Sequence, residues 1–136
     1  MNAVVSTITQ LLPAEIITTD PEQITLYSQD VFTVGPPICA VVRPRNIDEV
    51  QALVRACLER GTPIVTRGGG MSYTSGYIAN APDSVLIDIA SMDAIVEVNL
   101  EDRYVTVEAG CSWQKLYEHL APLGVRTAYW GTLSGR

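Results

Sequence analysis

The sequence is poor in several things, and each shortage excludes something. It has nine Lys and Arg against fifteen Asp and Glu, a net charge of -6, and no basic run. A nucleic-acid surface, which clusters Lys and Arg, is therefore not expected. A small anionic ligand is not excluded, because backbone N–H groups bind anions without a net positive protein. No apolar stretch approaches the ~18 residues that a membrane span needs. The N-terminal "MNAVVSTITQLLPAE" lacks a basic n-region and an evident signal-peptide cleavage site, so a cytoplasmic location is expected. The three cysteines, Cys39, Cys57 and Cys111, match no zinc or CxxC spacing and read as reduced core thiols. The single histidine, His119, falls on a predicted helix and reads as a surface or boundary residue rather than a ligand.

What is present is a soluble, globular composition, 47% hydrophobic and 18% charged, over 136 residues: one domain with a real core. "AVVSTITQLLP" predicts a short helix ending before Pro13. In "DPEQITLYSQD", Asp20 is a candidate N-cap with Pro21 at the first helical position, giving one helical turn and then loop.

"ICAVVRP" is a continuous apolar run, as in a strand buried on both faces. After Pro44, Asn46 caps a helix with Asp48 and Glu49 in its first turn. Ile47, Val50, Leu53, Val54, Cys57 and Leu58 share its apolar face, and Gly61 ends it. "PIVT" is the next strand, completing a strand–helix–strand unit with a right-handed crossover. "SVLIDIA" is a third buried strand. "AIVEVN" and "RYVTVEA" alternate and form an antiparallel hairpin. "CSWQKLYEHLAPLG" is a helix capped by Ser112 and ended by Gly124, with Trp113, Leu116, Tyr117, Leu120 and Leu123 facing inward.

The chemistry concentrates in "TRGGGMSYTSG", Thr66 to Gly76, directly after the second strand of the unit. Gly68, Gly69 and Gly70 allow backbone angles denied to other residues, so successive N–H groups can converge into an anion nest. Hydrogen bonds to a charged group contribute roughly 1.5–3 kcal/mol each, enough to order the loop only when a ligand receives them. The stretch has no Lys, which rules out a P-loop, and it does not open a helix as a Rossmann fingerprint does. A tight turn without ligand remains the alternative. Arg67 has two readings, a ligand contact or an ion pair with a carboxylate such as Asp88.

The ordered set of motifs resembles a known family. "AVVRPRNIDEVQALVRACLERGTPIVTRGGGMSYTSG" is similar to the N-terminal FAD-binding region of the flavoproteins that include vanillyl-alcohol oxidase, para-cresol methylhydroxylase and the D-lactate and glycolate oxidase enzymes. "SVLIDIASMDAIVEVNLEDRYVTVEAGCSWQKLYEHLAPLG" and the upstream "LYSQD" match it too. The resemblance implies an α+β fold of PCMH type: a small parallel strand set with helices, beside a mixed or antiparallel sheet. It divides the chain into an N-terminal segment (1–37), a βαβ-β segment with the glycine loop (38–90), and a hairpin, helix and start of a second flavin-contacting segment (91–136).

By the same resemblance, Arg67, Gly68, Gly69, Gly70, Met71 and Ser72 line the FAD pyrophosphate and Gly76 closes the turn. Tyr129, Gly131 and Thr132 are weaker flavin-contacting candidates. Some members attach FAD through a His directly after the glycines; Met71 stands there, so FAD is expected to be non-covalent. The implied activity is oxidation of a small hydroxy acid or alcohol. The cap and the remaining flavin strands are missing, so a fragment, inactive alone, is expected. Exposed apolar surface would then favour self-association. A non-catalytic anion-binding or interaction module is the alternative. The reductase of UDP-N-acetylglucosamine enolpyruvate, which shares the fold, fits the motifs less well.

Overall fold

The computed structural model describes residues 2–131. Helix α1 (Ala3–Leu11) is capped by the Asn2 side chain. A 3-10 turn leads into the short strand β1 (Ile17–Thr18). Helix α2 (Pro21–Tyr27) begins as predicted, with Asp20 Oδ1 accepting from the N–H groups of Glu22 and Gln23. It runs for seven residues rather than a single turn. Strand β2 (Ala40–Val42), helix α3 (Ile47–Glu59) and strand β3 (Ile64–Arg67) come next.

Asn46 caps α3 through Glu49 N at 2.9 Å, and Glu49 Oε2 reaches back to Arg45 N at 2.7 Å. The helix stops at Gly61, whose φ of 62° suits a residue without Cβ. There Thr62 N donates to Cys57 O and Gly61 N to Leu58 O, closing a Schellman motif.

Strand β4 (Val85–Asp88) lies between β2 and β3, parallel to both, and β1 adds antiparallel to the outer edge of β2. The strand–helix–strand unit is thus present, but its two strands are not neighbours. Period-two alternation sorts the side chains into two layers. Ala40, Val42, Val85 and Ile87 pack with Val4, Ile8, Leu53, Ala56 and Cys57. Val41 and Leu86 face the other way, onto Ile38 and Ala79, with Ile24, Tyr27 and Val65 at the margin. Both faces of β2 and β4 are covered, which explains their unbroken apolar sequence.

Strands β5 (Ile95–Asn99) and β6 (Tyr104–Val107) form the predicted hairpin as a separate two-stranded sheet. Arg103 adopts φ 60° in its turn, so β6 starts one residue later than expected. Helix α4 (Trp113–Leu120) is capped by Ser112 Oγ, which accepts from Lys115 N, and Lys115 Nζ ties it to Asp93 at 2.8 Å.

Two predicted helix faces are wider than the real ones. On α3 the buried residues are Leu53, Ala56 and Cys57, whereas Ile47 and Leu58 are exposed. On α4 only Leu116 and Leu120 are buried; Tyr117 and Leu123 are exposed. Each helix packs on one narrow ridge, so residues at the rim of an apolar arc stay in solvent. Among the described residues, no helix is long and apolar enough to cross a membrane.

Candidate functional site

Parallel strands deliver their trailing loops to one edge of the sheet. Arg67 is the last residue of β3 and pairs in register with Asp88, the last residue of β4. The glycine loop therefore starts at the C-terminal edge of the sheet, where open parallel sheets carry their ligands.

Among the described residues, the main-chain N–H groups of Gly68, Gly69, Gly70, Met71 and Ser72 donate to no protein acceptor. Further along, the loop is tied to itself. Ser72 Oγ accepts from Thr74 N at 3.2 Å and Gly76 N at 2.9 Å. A Cβ at Gly76 would press on that hydroxyl at 3.0 Å. Gly76 thus closes a bend around Ser72, whose hydroxyl is committed to the loop. No acidic residue occurs from Thr66 to Gly76, so nothing in the stretch repels an anion.

Of the three glycines, only Gly70 has a positive φ, 70°. Of the freedom that the three glycines allow, Gly68 and Gly69 make no use of a positive φ. Gly70 is constrained by space as well. A Cβ there would run into the Arg67 guanidinium, with Nε at 2.6 Å.

Arg67 does not form the ion pair with Asp88 that was one of its two expected readings; its side chain lies against two aromatic rings. Its Cζ lies 4.5 Å from the Tyr27 ring centroid and 5.0 Å from that of Tyr77. Its Nη1 is buried without a hydrogen-bond partner. Asp88 is occupied elsewhere: its Oδ2 accepts from the Tyr27 hydroxyl at 2.8 Å and from Arg43 Nε at 3.2 Å. Arg43 Nη2 donates to the Tyr27 hydroxyl at 2.9 Å. That bond, reinforced by Asp88, raises the Arg43 pKa above its ordinary value.

Sequence reasoning missed Tyr77 and gave Tyr27 no role beyond the "LYSQD" match. The signal for Tyr27 was its place in that segment; Tyr77, one residue past Gly76, carried none. Tyr77 is buried and its O–H donates to Gly70 O at 2.8 Å.

The second group of candidates lies apart. Thr132 is outside the described residues. Tyr129 stacks edge-on against Trp113, with centroids 6.2 Å apart, and a Cβ on Gly131 would strike the same indole. Among the described residues, no hydrogen bond or ring contact joins Tyr129 or Gly131 to the glycine loop. A cavity of about 820 Å³ is also on this side, between the hairpin, α4 and residues 125–129. Its lining includes no residue of the glycine loop, so the free amides and this cavity are separate features. His119 is exposed in the last turn of α4, and no cluster of metal-ligating side chains occurs among the described residues.

The family described as FAD binding domain matches residues 38–135. The mitochondrial D-lactate dehydrogenase [cytochrome] of Kluyveromyces lactis is 32% identical over 87 residues, which cover 62% of this chain and 15% of that protein. The D-arabinono-1,4-lactone oxidase of the same organism is 36% identical over 96 residues, covering 68% of this chain and 18% of that protein. The solved 4-ethylphenol oxidase from Gulosibacter chungangensis, in complex with isoeugenol, aligns with a TM-score of 0.79 at 26% identity. That alignment covers 89% of this chain and 24% of the oxidase. The chain spans less than a quarter of the length of each of these relatives.

Proposed function

Because the chain belongs to the FAD binding domain family, we propose that it is the N-terminal portion of the FAD-binding domain of a flavin-dependent oxidoreductase. The loop from Arg67 to Ser72 holds the FAD pyrophosphate with its backbone, and the substrate of the whole protein is a small hydroxy acid or alcohol. The observation that carries the reading is the run of unpartnered N–H groups from Gly68 to Ser72 at the end of β3. Left to water, they contribute nothing to folding. Turned to a diphosphate, each contributes roughly 1.5–3 kcal/mol.

The residues present fit such a group. The donors are main-chain amides, Gly70 keeps the backbone free of Cβ, and the carboxylate nearest in register, Asp88, is paired with Arg43. When bound, the flavin supplies a two-electron acceptor for substrate oxidation. This chain's own part is to bind and orient the dinucleotide. Met71 follows the glycines, and a thioether does not attack the flavin 8α-methyl carbon, so attachment through this loop is non-covalent. Tyr129, Gly131 and Thr132 are secondary flavin contacts in this reading. No residue here is assigned as the catalytic base.

A second reading, a non-catalytic association module, draws on the open cavity between the hairpin and α4, lined in part by exposed Leu100, and on exposed Val96 in β5. One titration separates the two. FAD is added to the protein purified at its natural length, and flavin absorbance and fluorescence are followed. A shifted spectrum is expected, with Gly70→Val weakening affinity more than ~tenfold by driving Cβ into Arg67. An unaltered flavin spectrum at saturating protein would sink the cofactor reading.

A further inference from the structure

We propose that Tyr27 and Tyr77 are positioning residues for the dinucleotide site, clamping the Arg67 guanidinium beneath Gly70 so that the free amides of the loop keep one arrangement. The proposal rests on the reading of the Gly68–Ser72 amides as the pyrophosphate site.

Three observations converge on Gly70. The Arg67 guanidinium lies where its Cβ would be. Its carbonyl accepts the Tyr77 hydroxyl at 2.8 Å. Its φ of 70° is one that few other residues adopt. Both sides of this residue are therefore fixed by side chains, although the loop has no secondary structure of its own. The guanidinium is fixed in turn by two aromatic rings, at 4.5 Å and 5.0 Å. A desolvated cation over ring faces is held more strongly than an exposed one. Tyr27 is anchored by Asp88 and Arg43, so the contacts run without a break from the end of β4 to the loop.

The arrangement also sets a charge. Asp88 is matched by Arg43, and no carboxylate among the described residues forms an ion pair with Arg67. The Arg67 Nη1 is buried without an acceptor, an arrangement unfavourable by itself. A guanidinium with no carboxylate partner beside a row of unpartnered amides makes the loop attractive to an anion. In this proposal Arg67 acts as a strut and a field source for the loop.

Tyr77→Phe tests this with the least disturbance, because it keeps the ring against Arg67 and deletes only the hydroxyl. The measurements are backbone amide order parameters of Gly68, Gly69 and Gly70 by NMR in the free protein, the Kd for FAD, and the denaturation midpoint. The expected result is lower order parameters at the glycines and an FAD Kd raised roughly fivefold. Tyr77→Leu, which also uncovers one face of Arg67, is expected to raise Kd more than ~tenfold. A lowered midpoint with unmoved order parameters and unmoved Kd would show a merely structural tyrosine and overturn the proposal. If Tyr77→Leu fails to fold, Tyr77→Phe decides alone. If the unmodified protein binds no FAD, the site reading fails and the clamp's service to a dinucleotide falls with it. The order parameters then still show whether Tyr77 orders the loop.

Discussion

The Tyr27 hydroxyl donates to Asp88 Oδ2 across 2.8 Å, joining the last residue of α2 to the last residue of the central strand, 61 positions along the chain. Arg43 completes the group, donating to both. The Asp88 side chain is only 8% exposed, so its charge depends on these two partners and on its own N–H contact at Ala90. Arg43→Met leaves that carboxylate buried without its cation. Breaking a fully buried pair costs ~3–5 kcal/mol; with the Arg43 side chain partly in solvent, a loss of about 2 kcal/mol is expected. Tyr27→Phe removes both hydrogen bonds of that hydroxyl, the one to Asp88 and the one from Arg43, and should cost about 2 kcal/mol. Guanidinium denaturation measures both, and equal midpoints for Arg43→Met and the unmodified protein would show that the group does not stabilise the fold.

Gly110 is held against backbone rather than side chains. Its N–H donates to Met92 O at 2.8 Å, and a Cβ would strike Ile89 O and approach Ala90 C to 3.1 Å. Carbonyl groups in a 3-10 turn cannot rotate away as a side chain can. Gly110→Ala should therefore destabilise by about 2 kcal/mol, more than the usual small change at a half-exposed loop position. Thermal unfolding reads the effect, and a midpoint unchanged within error would mean the Met92–Gly110 bend yields easily.

Helix ends and buried strands were legible in the sequence; the partners of the glycine loop were not. Asp20, Asn46 and Ser112 were legible as helix caps, and Gly61 and Gly124 as helix ends, because capping depends on neighbours within four residues. The apolar runs of β2 and β4 were legible because both faces are covered. The seating of β4 between β2 and β3 was not, since parallel pairing leaves no local trace. Nor was the choice of Arg43 over Arg67 as the partner of Asp88. Composition allows either, and only the packing of Tyr27 against Arg67 decides. The glycine loop was legible as a bend at the end of β3. That one glycine alone takes the left-handed angle, and that Tyr77 holds it, required coordinates.

The thiols give a pH-dependent prediction. Burial, with Asp83 nearby, pushes the Cys39 thiol up to about 11. Burial also raises Cys57 and Cys111. A thiol whose folded value is raised keeps its proton more firmly when folded. Its contribution is intact below the ordinary thiol range and is lost as pH climbs from there toward about 11. Stability should accordingly fall on the alkaline side, and Cys39→Ser should flatten that fall. Labelling with a disulfide reagent near pH 8 should be slow at Cys39 and slowest at fully buried Cys57. Fast labelling of Cys57 in the native protein would show that α3 opens readily from the sheet.

The mode of flavin attachment turns on one position. Met71 occupies the place directly after Gly70, half-buried, with a free main-chain N–H and a side chain that has no ionisable group. A bond to the flavin 8α-methyl carbon needs a nucleophile that carries a proton it can lose, which imidazole and thiol have and a thioether lacks. Of the chain's imidazole and thiols, His119 is exposed on the last turn of α4, Cys57 is sealed in the core between α3 and the sheet, and the half-buried Cys39 and Cys111, whose thiols burial holds in the protonated form, lie outside the glycine loop. Flavin bound by the natural-length protein should therefore separate from it when the polypeptide is precipitated with acid, leaving a colourless pellet and all absorbance near 450 nm in the supernatant, a wavelength of about that value being the visible band of oxidised flavin cofactors. Colour retained in the pellet, with a peptide containing Met71 unmodified by mass spectrometry, would place the attachment outside this loop. A flavin adduct on a peptide spanning residues 67–76 would refute the non-covalent reading outright.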